Sequence, residues 1–575
     1  MPGFFASNIN SANQFDIKKH TENRMIHDCI FYKDLCIKEQ VLDTFANDRV
    51  FVETENLIIA TYGIIYNSNE LISEVNANSL SEAMVKLSLK DELFFNKIDG
   101  SCSGLVFYKK SNKIVCFTSR LGDKAIFYYF NKENGEFVIG SQMYYVKDFL
   151  KETGRNRSED FHGISNFLSF GYFIDSSTGV NEIKRLYPGD YMIISENNYY
   201  VETYYLADID EKKSSIDEYI NRLDNAFCSA LRKIVKKNNE YGYKTIVDIS
   251  GGLDTRVICY ALKKLNLMED AIAISYGQSD CYDQKIAQQI ASQLEIDLYY
   301  KYLDTGSCLR DIDELILLNN GVSYYYGITG GKDFLKLLNN QVVGLEITGL
   351  LGDMKDSSMV VIDGDKAPNI NLEQYRTTKA IPFDKKNVYC NEIGRFKRHE
   401  LYWLYCRGMM AGMSTFFIRQ NYVEPVTPFG DIEFLEAYLS IPWKERVEKK
   451  ILLKWLAKEY PESVKIPYAT TGISIMNADS MLNKTKRRIL FYSRKIICRL
   501  LNKPLPYNMN PVDYWLANNK ELSLYLDNYY SETIKSINMD DSVKEKVKLL
   551  YEKPIVFNDK GVALSILAYY KTYLT

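Results

Sequence analysis

One hexapeptide restricts this chain more than any other feature. Ser250-Gly251-Gly252-Leu253-Asp254-Thr255 lies between an apolar run, Lys244 to Ile249, that reads as a strand and a segment, Arg256 to Leu265, that reads as a helix. Two glycines let the backbone turn tightly and bring its N–H groups close to phosphate oxygens, while the following helix points its positive end at the same anion. Ser250 and Thr255 add hydroxyl donors. Asp254 is the informative residue, because a carboxylate among phosphates is repulsive unless a cation such as Mg2+ lies between them. The loop lacks the GxxxxGK spacing of the other common phosphate loop. By itself it is also compatible with an ordinary Gly-Gly turn joining a strand to a helix.

The downstream context favours the phosphate loop. A second strand, Ala271 to Tyr276, precedes Asp283 to Ala287, which opens an amphipathic helix. A later buried-looking strand, Gln341 to Ile347, ends in Thr348-Gly349-Leu350-Leu351-Gly352-Asp353. From about residue 206, helical stretches such as Ser215 to Lys237 alternate with apolar strands, which is the rhythm of a parallel α/β sheet. Ligands of such sheets sit at the carboxyl ends of the strands, so both Gly-containing loops are expected to face one crevice. Asp254 and Asp353 would then share a metal, although Asp353 alone reads as an ordinary loop aspartate. The first 205 residues read mostly as β structure, with runs such as Leu57 to Tyr62 and Gly104 to Tyr108 between polar turns. From about Asn477 the chain turns basic (Lys484-Thr485-Lys486-Arg487-Arg488) and helical. The expected domains are therefore 1–205, 206–475 and 476–575.

Composition removes several classes of function. A formal net charge of −3 gives no electrostatic footprint for nucleic acid. Histidine occurs only at positions 20, 27, 162 and 399, none near a motif, which argues against a Ser/His/Asp hydrolase or a His-rich metal centre. The eleven cysteines are scattered without a CxxC pair, as reduced thiols of a cytoplasmic protein would be. No apolar run reaches bilayer-spanning length, and Met1 to Asn10 lacks a signal peptide's plan. A cytoplasmic chain with neither nucleic acid nor membrane as partner is the expectation, and a homodimer is left open.

These motifs resemble the asparagine synthetase family, whose relatives include the β-lactam synthetases and the lasso-peptide cyclases. Ser250 to Thr255 matches its pyrophosphate loop, SGGxD[ST]. Thr348-Gly349 with Asp353 is similar to its second ATP loop, SGxGxDE, with Leu351 in place of the second glycine. Val423-Glu424 and Pro428-Phe429-Gly430-Asp431 resemble its VExxxPFxD segment, followed by Leu439-Ser440-Ile441-Pro442. In the first region, Gly63-Ile64-Ile65-Tyr66-Asn67 with Glu70-Leu71 resembles NGEIYNxxEL. Arg120 to Lys124 with Phe127-Tyr128 is similar to RxGxKPLYY, and Leu186 with Pro188-Gly189 to LxPG.

The resemblance implies an N-terminal Ntn-hydrolase-like α+β sandwich followed by an ATP-pyrophosphatase-type parallel α/β domain. It also implies that the chain binds ATP and Mg2+, adenylates a carboxylate with release of pyrophosphate, and lets ammonia or an amine form an amide. By that carry-over Ser250, Gly251, Gly252, Asp254 and Thr255 hold the phosphates. Ile249, Ile274, Thr348 and Gly349 line the nucleotide through backbone contacts, and Asp254 and Asp353 hold Mg2+.

The departures are as informative. Family glutaminases use a cysteine exposed at the mature N-terminus, whereas this chain begins Met1-Pro2-Gly3. Tyr62 and Ile64 replace two glutamine-binding polar residues, so glutamine hydrolysis is not expected. In the synthetase region Leu350 replaces Glu or Tyr, Met354 a Glu, Val426 an Arg, and Thr470 a lysine that serves the adenylation transition state. Lys465 or Lys332 is then the expected replacement cation. The leading expectation is a glutamine-independent amide ligase, with a peptide macrolactam cyclase and a sugar-acid amidating enzyme as variants. A catalytically weak nucleotide-binding partner in a biosynthetic complex is the alternative, followed by an asparagine synthetase using free ammonia.

Overall fold

The computed structural model describes residues 1–18, 25–327, 329–339, 341–352, 371–469, 474, 491–498 and 500–575. The expected strands of the first region pair into two antiparallel sheets. One has the order β10-β8-β9-β1-β3-β2, built from β1 (Gly3–Ser7), β2 (Met25–Tyr32), β3 (Leu35–Leu42), β8 (Phe127–Phe130), β9 (Phe137–Gly140) and β10 (Lys184–Arg185). The other has the order β12-β11-β7-β6-β5-β4, from β4 (Phe51–Glu53), β5 (Leu57–Ile65), β6 (Gly100–Tyr108), β7 (Lys113–Phe117), β11 (Asp190–Ser195) and β12 (Asn198–Thr203).

Alternation along β5 explains the layering, since successive side chains of a strand point to opposite faces. Ile58, Ala60 and Tyr62 enter the core between the sheets, whereas Leu57, Ile59 and Ile65 pack beneath the helices Ser68–Glu74 and Leu80–Lys90. Helices Met143–Glu152 and Phe161–Phe170 cover the outer face of the first sheet. The region is thus an α-β-β-α sandwich, as the expected α+β fold requires, with helices on both outer faces that the strand runs alone do not announce. Strands buried on both faces lose the polar–apolar alternation that would announce their helical cover.

Five parallel strands follow: β13 (Lys244–Asp248), β14 (Ala271–Gly277), β15 (Leu298–Tyr302), β16 (Val343–Ile347) and β17 (Glu424–Val426), in the order β15-β14-β13-β16-β17. The chain runs outward from β13 through β14 to β15, then returns to place β16 on the other side of β13. Strand order reverses there, and an open α/β sheet forms its crevice outside the carboxyl ends at that point. The helix Ile216–Glu240 starts on a capping box, with Ser215 and Glu218 satisfying each other's backbone N–H.

The C-terminal helices Val512–Asn518, Lys520–Ser536, Asp541–Glu552 and Phe557–Tyr569 share an apolar core with the outer helices of the sandwich. The basic run 484–488 lies outside the described residues. No helix among the described residues is long and apolar enough to cross a membrane.

Candidate functional site

A cavity of about 430 Å3 opens where the strand order reverses, and Ile249, Ser250, Gly252, Asp254, Thr255, Ile274, Thr348 and Gly349 all line it. The crevice joins the two loops expected to face each other. The helix after the first loop starts earlier than the sequence suggests: it spans Leu253–Lys264 with Gly252 as its N-cap. Asp254 and Thr255 therefore occupy its first turn, beside the positive end of the helix dipole. Within the loop, the Ser250 N–H donates to Thr255 Oγ1 (3.0 Å) and the Gly252 N–H to Ser250 Oγ (3.1 Å).

Gly251 departs from its expected role. It does not line the cavity, and its N–H donates to Asp283 Oδ1 at 2.9 Å. A Cβ at this position would meet Ala469 Cβ at 2.4 Å, so glycine is needed for close approach to the 465–469 turn. Arg256 locks the same contact. Its buried guanidinium donates to the carbonyls of Gly251, Ser463, Ile466 and Pro467, and burial pulls its pKa down to about 10. Asp283 and Arg256 thus buttress the loop from behind.

The second loop presses directly on Asp254. A Cβ on Gly352 would come within 2.4 Å of Asp254 Cγ, and one on Gly349 within 3.0 Å of Asp254 Cβ. Only residues without a Cβ let the loops approach this closely. Leu351 stands where the family loop has its second glycine, and its φ is +63°. The backbone keeps the left-handed conformation a glycine would take, at roughly 1–2 kcal/mol for an L-residue, while the leucine side chain is buried. Asp353, Met354 and Thr470 lie outside the described residues. Among the described residues no group of three His, Cys, Asp or Glu forms a metal cluster.

Neither expected cation reaches the cavity. Lys332 is buried against Asp311 (2.8 Å) and Glu314, and Lys465 is exposed and paired with Glu462 at 2.5 Å. The cavity wall instead carries Arg407, on the π-helix Trp403–Gly412, and Arg419, which ends the helix Ser414–Arg419. Arg419 bonds Glu346, lies 3.6 Å from Asp248 Oδ2, and donates to the Tyr276 hydroxyl at 3.0 Å. Sequence reasoning missed this group. The signal was present: Asp248, Glu346 and Arg419 interrupt otherwise apolar runs, and charges buried in such runs must pair.

In the sandwich, the Met1 carbonyl accepts from Gln40 Nε2 (2.9 Å) and the Tyr145 hydroxyl (2.8 Å), and the Pro2 carbonyl from Gln142 Nε2 (2.6 Å). Tyr62 is buried, its hydroxyl donating to Gln420 Oε1 at 3.0 Å and its ring lying 4.2 Å from the Lys124 ammonium. Lys124 in turn pairs with Glu424 of β17 at 2.6 Å, where both side chains are buried. The RxGxK-like and VE-like segments thus meet as one ion pair between sandwich and parallel sheet. Asp431 caps the helix Ile432–Leu439 and pairs with Lys233 at 3.1 Å.

Residues 41–205 match the family model of the glutamine amidotransferase domain. Over 274 residues the chain is 22% identical to a putative glutamine-hydrolysing asparagine synthetase 2 of Methanocaldococcus jannaschii, covering 46% of this chain and 51% of that one. Both findings support the resemblance to the asparagine synthetase family. The chain spans about half the length of that curated relative. Two solved structures are also similar at 10% identity. One is the allosteric regulatory enzyme of purine biosynthesis, with a TM-score of 0.22 over 52% of this chain and 74% of that chain. The other is glutamine phosphoribosylpyrophosphate amidotransferase from B. subtilis complexed with ADP and GMP, with a TM-score of 0.24 over 54% and 86%. At such scores the likeness carries no argument about the site. Within the region that matches the glutamine amidotransferase domain, Tyr62 and Ile64 are buried side chains.

Proposed function

We propose that this chain is an ATP-dependent ligase that adenylates a carboxylate, releases pyrophosphate, and joins the acyl group to ammonia or an amine. The observation that supports it most is the apposition of two glycine loops across one cavity, with Asp254 at their contact. In this reading Ser250 and Thr255 turn their hydroxyls to the phosphates, and the helix dipole of Leu253–Lys264 favours the anion. Ile249, Ile274, Thr348 and Gly349 hold the nucleoside through backbone groups.

Mg2+ fits the donor set as a substrate-bound ion, because it takes one or two carboxylates with the remaining positions filled by phosphates and water. Asp254 is one such carboxylate, and Asp353 is proposed as the other. When bound, the ion neutralises charge on the departing pyrophosphate. Arg407 adds positive charge at the wall in place of the lysines expected from sequence. Exchange of labelled pyrophosphate into ATP, tested with a panel of carboxylic acids, checks the reading. Acid-dependent exchange is the expected result, and its absence with every acid counts against adenylation.

The nitrogen is proposed to come from free ammonia or an amine. Tyr62 and Ile64 place buried side chains where glutamine would need polar partners. The purified protein is expected to release no glutamate from glutamine, with ATP and acceptor present, in a coupled glutamate dehydrogenase assay. Release above a no-enzyme blank would contradict this.

A further inference from the structure

Three charged side chains converge at one end of the cavity in positions that the surrounding sequence makes apolar. Asp248 ends β13, Glu346 lies in β16, and Arg419 reaches them from the helix Ser414–Arg419. The sheet register pairs Ile246 with Glu346, and the period of two along β13 puts Asp248 on the same face. Arg419 serves both carboxylates through Nη1, bonding Glu346 Oε1 and lying 3.6 Å from Asp248 Oδ2, while the Tyr276 hydroxyl accepts from its Nη2.

The group is unevenly exposed. The Glu346 side chain is 0% exposed and that of Arg419 5%, whereas that of Asp248 is 18% exposed and lines the cavity. Asp248 Oδ1 and Glu346 Oε2 receive no hydrogen bond from any donor among the described residues. One guanidinium balances one carboxylate and leaves the second in excess. Burial pushes the pKa of both acids up, which favours a proton held between them until a further cation arrives. Burial pulls the Arg419 guanidinium down, and the facing Glu346 and Asp248 carboxylates more than offset that. The cavity therefore presents a site that gains stability when a compact cation arrives at Asp248.

Resting on the ligase reading above, we infer that Asp248 receives the cationic amine substrate at the cavity wall and takes its proton, with Glu346 and Arg419 as positioning residues. The ammonium supplies the charge that the shared proton otherwise provides, and that proton leaves to solvent. One N–H proton of the ammonium then passes to the Asp248 carboxylate. The freed nitrogen lone pair attacks the acyl carbon, the C–N bond forms, and the acyl C–O bond breaks with its electrons going to the phosphate of AMP. The nitrogen's excess proton leaves through solvent. Asp248 immediately precedes Ile249 and Ser250, so the base stands one residue from the loop that holds the nucleotide.

The test compares the parent with Asp248→Asn, using L-aspartate, L-glutamate and D-galacturonate as probe acids. Pyrophosphate exchange reads adenylation, hydroxamate formation with hydroxylamine reads transfer to a nucleophile already unprotonated at neutral pH, and amide formation from ammonium chloride reads the proton step. The variant is expected to keep exchange and hydroxamate formation within about threefold while losing ammonium-dependent synthesis by roughly 10²-fold or more, the usual contribution of a general base. Exchange in the same variant also reports that it is folded. Equal losses in all three arms, or unchanged ammonium-dependent synthesis, overturn the role of Asp248. Absence of exchange in the parent with every acid instead removes the ligase reading, and the role of Asp248 falls with it.

Discussion

Replacing Asp254 with asparagine is expected to lower acid-dependent pyrophosphate release by roughly 10²–10³-fold, on the scale of removing one group that stabilises charge developing in the transition state. Asparagine keeps the shape of the side chain and its packing against Gly349 and Gly352, so folding is expected to survive. What disappears is the negative charge proposed to draw Mg2+ to the phosphates. ATP affinity measured calorimetrically in magnesium falls as well, because the ion is bound in the ground state too. The comparison that decides the matter is affinity with and without magnesium. In the parent the metal strengthens binding, and in the variant that dependence is lost. A variant with full magnesium dependence and full turnover would take Asp254 out of the site.

The second large effect is on stability. Lys124→Met leaves the Glu424 carboxylate buried without its ammonium partner. Breaking a buried pair in this way costs about 3–5 kcal/mol, because the remaining charge keeps its desolvation penalty and loses its compensation. The Tyr62 ring, 4.2 Å from the same ammonium, loses a cation–π contact as well. Urea denaturation reads the change as a lower midpoint at similar slope. The double variant Lys124→Met, Glu424→Gln is expected to regain much of the loss, since no net charge then remains buried. A single variant as stable as the parent would show that the pair does not fasten the sandwich to the sheet.

The sequence revealed β13, β14 and β16 because each is largely an apolar run that ends at a glycine or a polar turn, whereas β15 and β17, with the sequences LYYKY and EPV, carry no such signal; Ser250 to Thr255 stands at the one junction where strand order reverses. The helical cover of the sandwich was harder to read. Tyr144, Tyr145 and Phe149 pack inward, but aromatic residues suit strands as well as helices. The extent of the loop was misjudged because Leu253, Asp254 and Thr255 already have helical geometry. A sequence pattern marks the glycine cap but does not tell whether the first turn belongs to the loop or to the helix.

The cations were misplaced for a similar reason. Lys332 stands near a Gly-Gly pair, yet three-dimensional neighbours Asp311 and Glu314 claim it. Arg407 and Arg419 sit on helices far along the chain, and although a charge such as Arg419 in an apolar run signals a buried partner, its local sequence does not say that the partners lie on β13 and β16. Leu351 shows the opposite case. A glycine is missing from the motif, yet the backbone at this position has the left-handed conformation that suits glycine.

Activation of a carboxylate in the proposed way would cleave ATP between its α and β phosphates. Phosphorus NMR of a reaction containing the protein, MgATP, ammonium chloride and the probe acids follows that cleavage. AMP and pyrophosphate are expected to appear together in equal amounts with at least one acid. ADP with orthophosphate, or ATP left intact by every acid, would contradict the proposal.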